Sequence, residues 1–458
     1  MKLKRRSLLL WALAGVFAFF GSIVEVNAQV SAPTTQTVTV GADSIVSIPL
    51  GGGNGGGDIK MLPGGKKAYV ALKYEDTVAV IDTDPLSPFF NTVLATVPVG
   101  IRPSGIAVTP DGTRVYVTNS GKTSADVDSI SVISTASDTV IVTSPLGSTA
   151  PVGIAITPDG TRAYFTTFEG KLRILDTDPT SLLYNLPIDS IDIPLLLAGK
   201  IAITPDGTKA VVDWAGTIAH AIDVIDVEPE SPTYHTIIGS PVPVVSGQSG
   251  DVAVSPDSAY AYATGSTSLC KLCKIDLQSF DVLTNFELFQ RFIALTPDGS
   301  SLLTSDWNST TISIFDSSDL SLSDSVELDN SLGDITISPD GLLAYVVRDP
   351  ISSNSEVLMV PLQPVVAYFS ASPKSGLAPL NVSFSDNSIG ATSWSWDFGD
   401  GSTSVVQNPT HTYEEPGSYT VSLTASRSGE SDTEIEIDYI NVIESRTMPW
   451  IPLLLLND

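Results

Sequence analysis

The sequence predicts an all-β chain: a seven-bladed β-propeller of four-stranded blades, its ring closed by the N-terminal strand, followed by an immunoglobulin-like β-sandwich. Three observations predict it. A Pro-centred turn recurs seven times, with prolines at 63, 110, 158, 205, 256, 297 and 339. The intervals run from 41 to 51 residues, enough for four short strands each. Past Val365 the repeat stops, and about 80 residues of a different strand-and-turn pattern begin. Apolar residues make up 42% and charged residues 16%, so a packed core is expected rather than disorder. No long stretch shows a helical period.

The first 28 residues read as a secretory leader. Lys2, Lys4, Arg5 and Arg6 precede an apolar run from Leu8 to Phe20, and Val26-Asn27-Ala28 supplies small residues for cleavage after Ala28. The competing reading is a retained anchor. No later segment approaches the roughly 20 apolar residues of a spanning helix. The mature chain is therefore expected outside the cytoplasm, at the cell surface, in the medium or in the periplasm, without an integral membrane span. The full sequence has a net charge of −28, and removing the leader's +3 makes the mature chain about −31, which repels nucleic acid and anionic lipid and excludes those partner classes.

Residues 29–362 carry the repeats. The motif is Thr-Pro-Asp-Gly at 109–112, 157–160, 204–207 and 296–299, and Ser-Pro-Asp-Gly at 338–341. Pro presets the second turn position, Asp bonds the local backbone, and Gly takes the left-handed conformation before the next strand. Leu62-Pro63-Gly64-Gly65 and Ser255-Pro256-Asp257-Ser258 depart from the motif, so those turns are expected to be less regular. One unit reads as strands over 105–108, 114–119, 130–134 and 139–142. Strand faces do not alternate cleanly, as expected where blades stack face to face. The seventh unit supplies only three strands, over 334–338, 342–347 and 357–360. Residues 44–51 resemble a fourth strand, and closure by them would remove open edges.

Tyr116-Val117-Thr118-Asn119, preceded by Thr-Pro-Asp-Gly-Thr-Arg-Val, resembles the YVTN repeat of bacterial and archaeal surface proteins. Degenerate equivalents begin at Tyr69, Tyr164, Tyr262 and Tyr345. The resemblance spans roughly 37–362 and implies a seven-bladed propeller on an exported protein. It implies no particular ligand.

Residues 363–445 carry Trp394, Trp396-Asp397-Phe398-Gly399-Asp400-Gly401, His411, Tyr413 and Pro416-Gly417-Ser418-Tyr419. These motifs resemble the PKD domain, which implies an extracellular spacer or interaction module. Trp394 and Trp396 are two apart and so face one side of a strand. Some modules of this kind bind calcium, which makes Asp397 and Asp400 candidate calcium ligands. The competing reading is turn-forming Asp. Pro361-Leu362-Gln363-Pro364 reads as a semi-rigid linker. Residues 446–458 form a short apolar tail, too short to span a bilayer.

The search for chemistry yields little. Cys270 and Cys273 lack the second pair of a zinc site, and in an exported chain a local disulfide is expected. His220, His235 and His411 are the only histidines. His220 and His235 fall in loop-like sequence, and His411 belongs to the second domain's motif. Asp82/Asp84, Asp176/Asp178 and Asp226/Glu228 recur as Asp-x-Asp/Glu before Pro. They are either calcium ligands or plain acidic turns. No nucleophile elbow, zinc-protease motif or phosphate loop is present, so no catalytic residue and no cofactor is assigned. Asn308 and Asn381 head glycosylation sequons, with Asn308 the better placed. The expected function is a non-catalytic surface scaffold for binding or adhesion to extracellular protein or carbohydrate. The alternatives are a secreted or periplasmic lactonase-like propeller hydrolase and a structural envelope component.

Overall fold

The computed structural model describes residues 45–444 except 52–54, 86, 122–125, 194–197, 216–219, 246–248, 266–269, 287–289, 329–330, 349–354, 363–364, 389 and 428–429. The leader and the apolar tail lie outside the described residues. Every described element is a strand, and the chain is all-β.

Among the described residues, seven four-stranded antiparallel sheets follow one another. We number them sheets 1 to 7 by first strand: Gly56–Met61, Pro103–Val108, Pro151–Ile156, Ala198–Ile203, Ser249–Val254, Phe292–Leu295 and Leu332–Ile337. Sheet 7 continues with Leu343–Arg348 and Glu356–Pro361, and its fourth strand is Val46–Pro49. In that last pairing Ile48 lies opposite Val357, and Val46 opposite Met359.

Second and third strands are buried nearly throughout, as in Arg114–Asn119 and Thr77–Asp82. Both of their faces are covered, because the apolar clusters lie between sheets. One cluster joins Tyr69 and Val80 of sheet 1 to Ile106 and Ile133 of sheet 2. Others join each consecutive pair up to sheets 6 and 7. A further cluster joins Ile59 and Val70 of sheet 1 to Tyr345 and Met359 of sheet 7. The fourth strands differ. Thr139–Gly147 alternates exposed and covered positions, because its outer face meets water.

The repeated turn has one geometry. In sheet 2 the Gly112 amide donates to the Thr109 carbonyl at 2.8 Å, and Gly112 has φ +68°. Asp111 Oδ1 accepts from Thr109 Oγ1 at 2.6 Å and from the Thr113 amide at 2.9 Å. The two departures fold the same way, against expectation. Only the fourth position demands a left-handed residue, and Gly65 supplies it with φ +69°. Ser258 adopts φ 61° itself, and its hydroxyl accepts the Asp206 amide at 3.0 Å.

The Tyr and Thr of the repeat have a physical role: each bonds to the following sheet. Tyr69 Oη donates to Asp138 at 2.7 Å, Tyr116 Oη to Asn185 at 2.8 Å, and Tyr262 Oη to the Ser317 carbonyl at 3.0 Å. Tyr345 Oη, in sheet 7, donates to Asn91 of sheet 1 at 3.3 Å. Thr118 Oγ1 donates to the Val152 carbonyl at 2.8 Å, and Thr166 Oγ1 to the Gly199 carbonyl at 2.7 Å. Removing one such hydroxyl leaves a buried acceptor unpaired. Tyr116→Phe should lower stability by about 1–2 kcal/mol in urea unfolding, and an unchanged midpoint would contradict the role.

The C-terminal sandwich pairs a three-stranded with a five-stranded sheet. Between them Phe369, Phe384, Trp394, Trp396, Phe398 and Tyr413 form the core.

Candidate functional site

The first-strand position just before the residue that pairs with the middle of the second strand is equivalent in all seven sheets by register. It holds Asp58, Gly105, Gly153, Lys200, Asp251, Phe292 and Asp334. The Lys200 ammonium forms an ion pair with Asp58 of sheet 1 and lies 4.0 Å from Asp334 of sheet 7. Lys60 Nζ, two residues beyond Asp58, reaches Asp334 at 3.4 Å. A lysine from sheet 4 thus meets carboxylates from sheets 1 and 7 at one point.

Each aspartate also braces the next sheet. Asp334 Oδ2 accepts the Ile59 amide at 3.2 Å, Asp58 Oδ2 the Ile106 amide at 3.2 Å, and Asp251 Oδ2 the Ile293 amide at 3.4 Å. All three carboxylates are buried. Burial opposes the charge on Lys200, but Asp58, Asp334 and Asp251 outweigh it and hold the ammonium well above its ordinary range. Burial likewise opposes ionisation of Asp334, yet Lys60, Lys200 and the Ile59 amide hold it below the usual carboxylate range. For Asp251 burial wins over the attraction of Lys200, and its pKa is pushed up to about 7. The cluster is a set of mutually compensating charges with one proton near neutrality. It offers no nucleophile.

These groups set the pH dependence. The turn carboxylates Asp111, Asp159 and Asp206 lie below their ordinary value. Burial opposes this, but hydrogen bonds from Thr109, Thr157 and Thr204 and from the following Thr residues outweigh it. Their folded pKa is depressed, so their contribution is present above the unfolded value of 3.8 and is lost as pH falls below it. Asp251 acts oppositely. Its folded pKa is raised, so ionising it costs stability as pH rises from 3.8 to about 7. The melting temperature should peak on the acid side of neutrality. Asp251→Asn should flatten the decline toward pH 7, and a decline unchanged in that variant would rule Asp251 out as its source.

The other residues singled out from the sequence lie apart from this cluster. Asp82 Oδ1 accepts the Asp84 amide at 3.0 Å, and Oδ2 accepts Ser87 Oγ at 2.5 Å. Asp176 does the same with Asp178 and Ser181, and Asp226 with Glu228 and Ser231. These acids organise the connections before the fourth strands. His235 has φ 61° at the end of one such connection, where its ring meets Asp189 at 3.0 Å and Tyr164 Oη at 3.1 Å. His220 begins a strand, His220–Asp226, rather than lying in a loop. Cys270 and Cys273 are joined by a disulfide with both residues buried. Among the described residues no group of three or more His, Cys, Asp or Glu is arranged to hold a metal ion. Sequence reasoning missed Asp58, Lys60, Lys200, Asp251 and Asp334. The available signal was a charged residue after Gly inside an apolar first strand, at 57–59, 199–201, 250–252 and 333–335.

In the C-terminal sandwich Trp394 and Trp396 both face the core, and Trp396 Nε1 donates to the Val406 carbonyl at 2.9 Å. Tyr413 Oη donates to the Phe398 carbonyl at 3.0 Å, and the His411 ring stacks on Phe398 at 4.3 Å. Gly399 has φ +81°, and a Cβ there would lie 2.2 Å from the Thr420 carbonyl oxygen, so glycine is required. The PKD domain model matches residues 363–442. These residues are a PKD domain.

Within the PKD domain the two candidate calcium ligands serve the Asp-Gly turn. Asp397 Oδ1 accepts the Gly399 amide at 2.9 Å. Asp400 Oδ1 accepts the Ser402 amide at 2.9 Å, and Oδ2 meets His411 Nε2 at 2.7 Å. Asp400 is held below the usual carboxylate range: partial burial opposes this, but the Ser402 amide and His411 outweigh it.

Collagenase ColA of Bacillus cereus is 51% identical over 47 residues, which is 10% of this chain and 5% of the collagenase. The chain therefore spans a small part of that relative's length. A solved structure of Kuenenia stuttgartiensis Hydrazine Synthase is 22% identical, with a TM-score of 0.55, over 66% of this chain and 95% of that one. At that identity the likeness concerns the fold alone.

Proposed function

We propose that this chain is an exported surface protein whose seven sheets are the blades of a YVTN-type propeller spanning 29–362, closed by Val46–Pro49. The PKD domain, its C-terminal module over 363–445, spaces the propeller from its support. Its role is binding or adhesion to extracellular protein or carbohydrate, and it is not an enzyme. The leader-like N-terminus, the PKD domain and the short stretch shared with a collagenase support an extracellular setting. Closure is supported by the bonds that run from sheet 7 to sheet 1 just as between other neighbours.

One observation carries the choice of scaffold over hydrolase. The carboxylates of Asp58 and Asp334, from two sheets, are engaged by the ammonium groups of Lys200 and Lys60 rather than left open to a hydrolytic metal. The test uses purified, fluorescently labelled residues 29–458. Saturable retention on cell surfaces or matrix, with lactone and ester hydrolysis at the blank rate with and without added calcium, is expected. Metal-dependent turnover would replace this reading with the hydrolase.

A further inference from the structure

The face opposite the Pro turns is built from the connections between second and third strands and from the starts of the first strands. Three exposed aromatic rings stand on those connections: Tyr74, Phe168 and Trp307, with Trp307 51% exposed. Trp307 is the one with a built surrounding. The Arg291 guanidinium lies 4.3 Å from its ring centre, and Phe292 packs at 5.5 Å with a 59° tilt. Arg291 is held in turn. Its amide donates to the Ser305 carbonyl at 3.1 Å, its carbonyl accepts Thr264 Oγ1 at 3.1 Å, and its Nε lies 4.0 Å from buried Asp306. Next in the chain, Gln290 is 3% exposed, and its side-chain oxygen has no hydrogen-bond partner among the described residues.

A half-exposed indole fixed by a guanidinium and a second ring is a flat apolar platform with planar polar groups at its rim. That combination suits a pyranose ring, whose C–H face packs on the indole while its hydroxyls bond to the guanidinium group. The charge of −28 disfavours a polyanionic glycan. We propose that Trp307 and Arg291 form a subsite for an uncharged hexose polymer. This rests on the scaffold reading and names its ligand class. Tyr74 and Phe168, on equivalent connections, give a long polymer further contacts on the same face.

The experiment titrates residues 29–458 with maltohexaose, cellohexaose and chitohexaose, with hexagalacturonate as the charged control, and follows tryptophan emission. Trp214, Trp394 and Trp396 are 1%, 9% and 0% exposed, so Trp307 should dominate the response among the described tryptophans. A saturable shift with at least one uncharged hexamer is expected. In Trp307→Ala, binding of that hexamer by calorimetry should weaken by about tenfold or more, with the melting temperature unchanged. Trp307→Phe should retain part of the affinity. No response to any uncharged hexamer, equal affinity in Trp307→Ala, or equal binding of hexagalacturonate would each overturn the subsite. Cell-surface retention is measured in parallel. Retention without hexamer binding overturns the subsite and leaves the scaffold standing, whereas loss of both overturns both.

Discussion

Lys200→Met should destabilise the folded chain by about 3–5 kcal/mol in chemical denaturation, a large fraction of a typical domain's stability. The side chains are of similar length, so the cavity term is small. What is lost is the charge. Asp58, Asp251 and Asp334 are 8%, 6% and 1% exposed, and only Lys60 would remain to offset them. An uncompensated buried carboxylate has poor access to water and no partner, and breaking such a pair costs far more than the pair contributes net. The double variant Lys200→Met with Asp58→Asn should recover much of the loss, because the unpaired charge goes too. A loss under about 1 kcal/mol in the single variant would show that water solvates the cluster as it does a surface pair. Lack of rescue in the double variant would place the cost in packing instead.

Deleting residues 29–51 should lower the melting temperature sharply and promote aggregation. The deletion removes the ladder between Val46–Pro49 and the strand Glu356–Pro361. It also removes buried Ile48 and Leu50, and the Leu50 amide that donates to the Ser355 carbonyl at 3.0 Å. Each of those side chains contributes roughly 1.5–3 kcal/mol by burial. The strand left behind would present unpaired backbone groups along its whole length, a template for pairing with another chain. Calorimetry with light scattering checks both effects. The single change Ile48→Ala, about 2–5 kcal/mol, separates packing from edge exposure, since it keeps the ladder. An unchanged melting curve in the deletion would sink the assignment of this strand.

Much of the fold was legible because its turns are chemically explicit. Thr109-Pro110-Asp111-Gly112 announces itself through Pro and Gly, and the strand Arg114–Asn119 follows it at the residues expected. The PKD domain was equally legible through Trp396, Gly399 and Tyr413, whose roles are local. Strand ends were less so: the outer strand read over 139–142 runs on to Gly147, since nothing in Ser144-Pro145-Leu146 forbids extension at an edge. The ionic cluster was hidden for another reason. Asp58, Lys200, Asp251 and Asp334 each follow a Gly and stand five positions before a repeat Pro, but only the packing of the sheets shows that these equivalent positions meet. The carboxylates that did look like ligands, at 82, 176 and 226, have their oxygens taken by neighbouring amides and hydroxyls.

The pairing of Val46–Pro49 with Glu356–Met359 has a consequence for synthesis. Val46–Pro49 meets its partner only after about three hundred further residues have emerged. Asp58 likewise waits for Lys200, and both for Asp334. Until then the nascent chain holds sheets that are locally complete but globally unfinished, with Val46–Pro49 unpaired and Lys60 and Lys200 without Asp334. Such long-range contacts slow the final step of folding. The half-made chain therefore lacks the contacts between sheets 7 and 1 until sheet 7 has emerged.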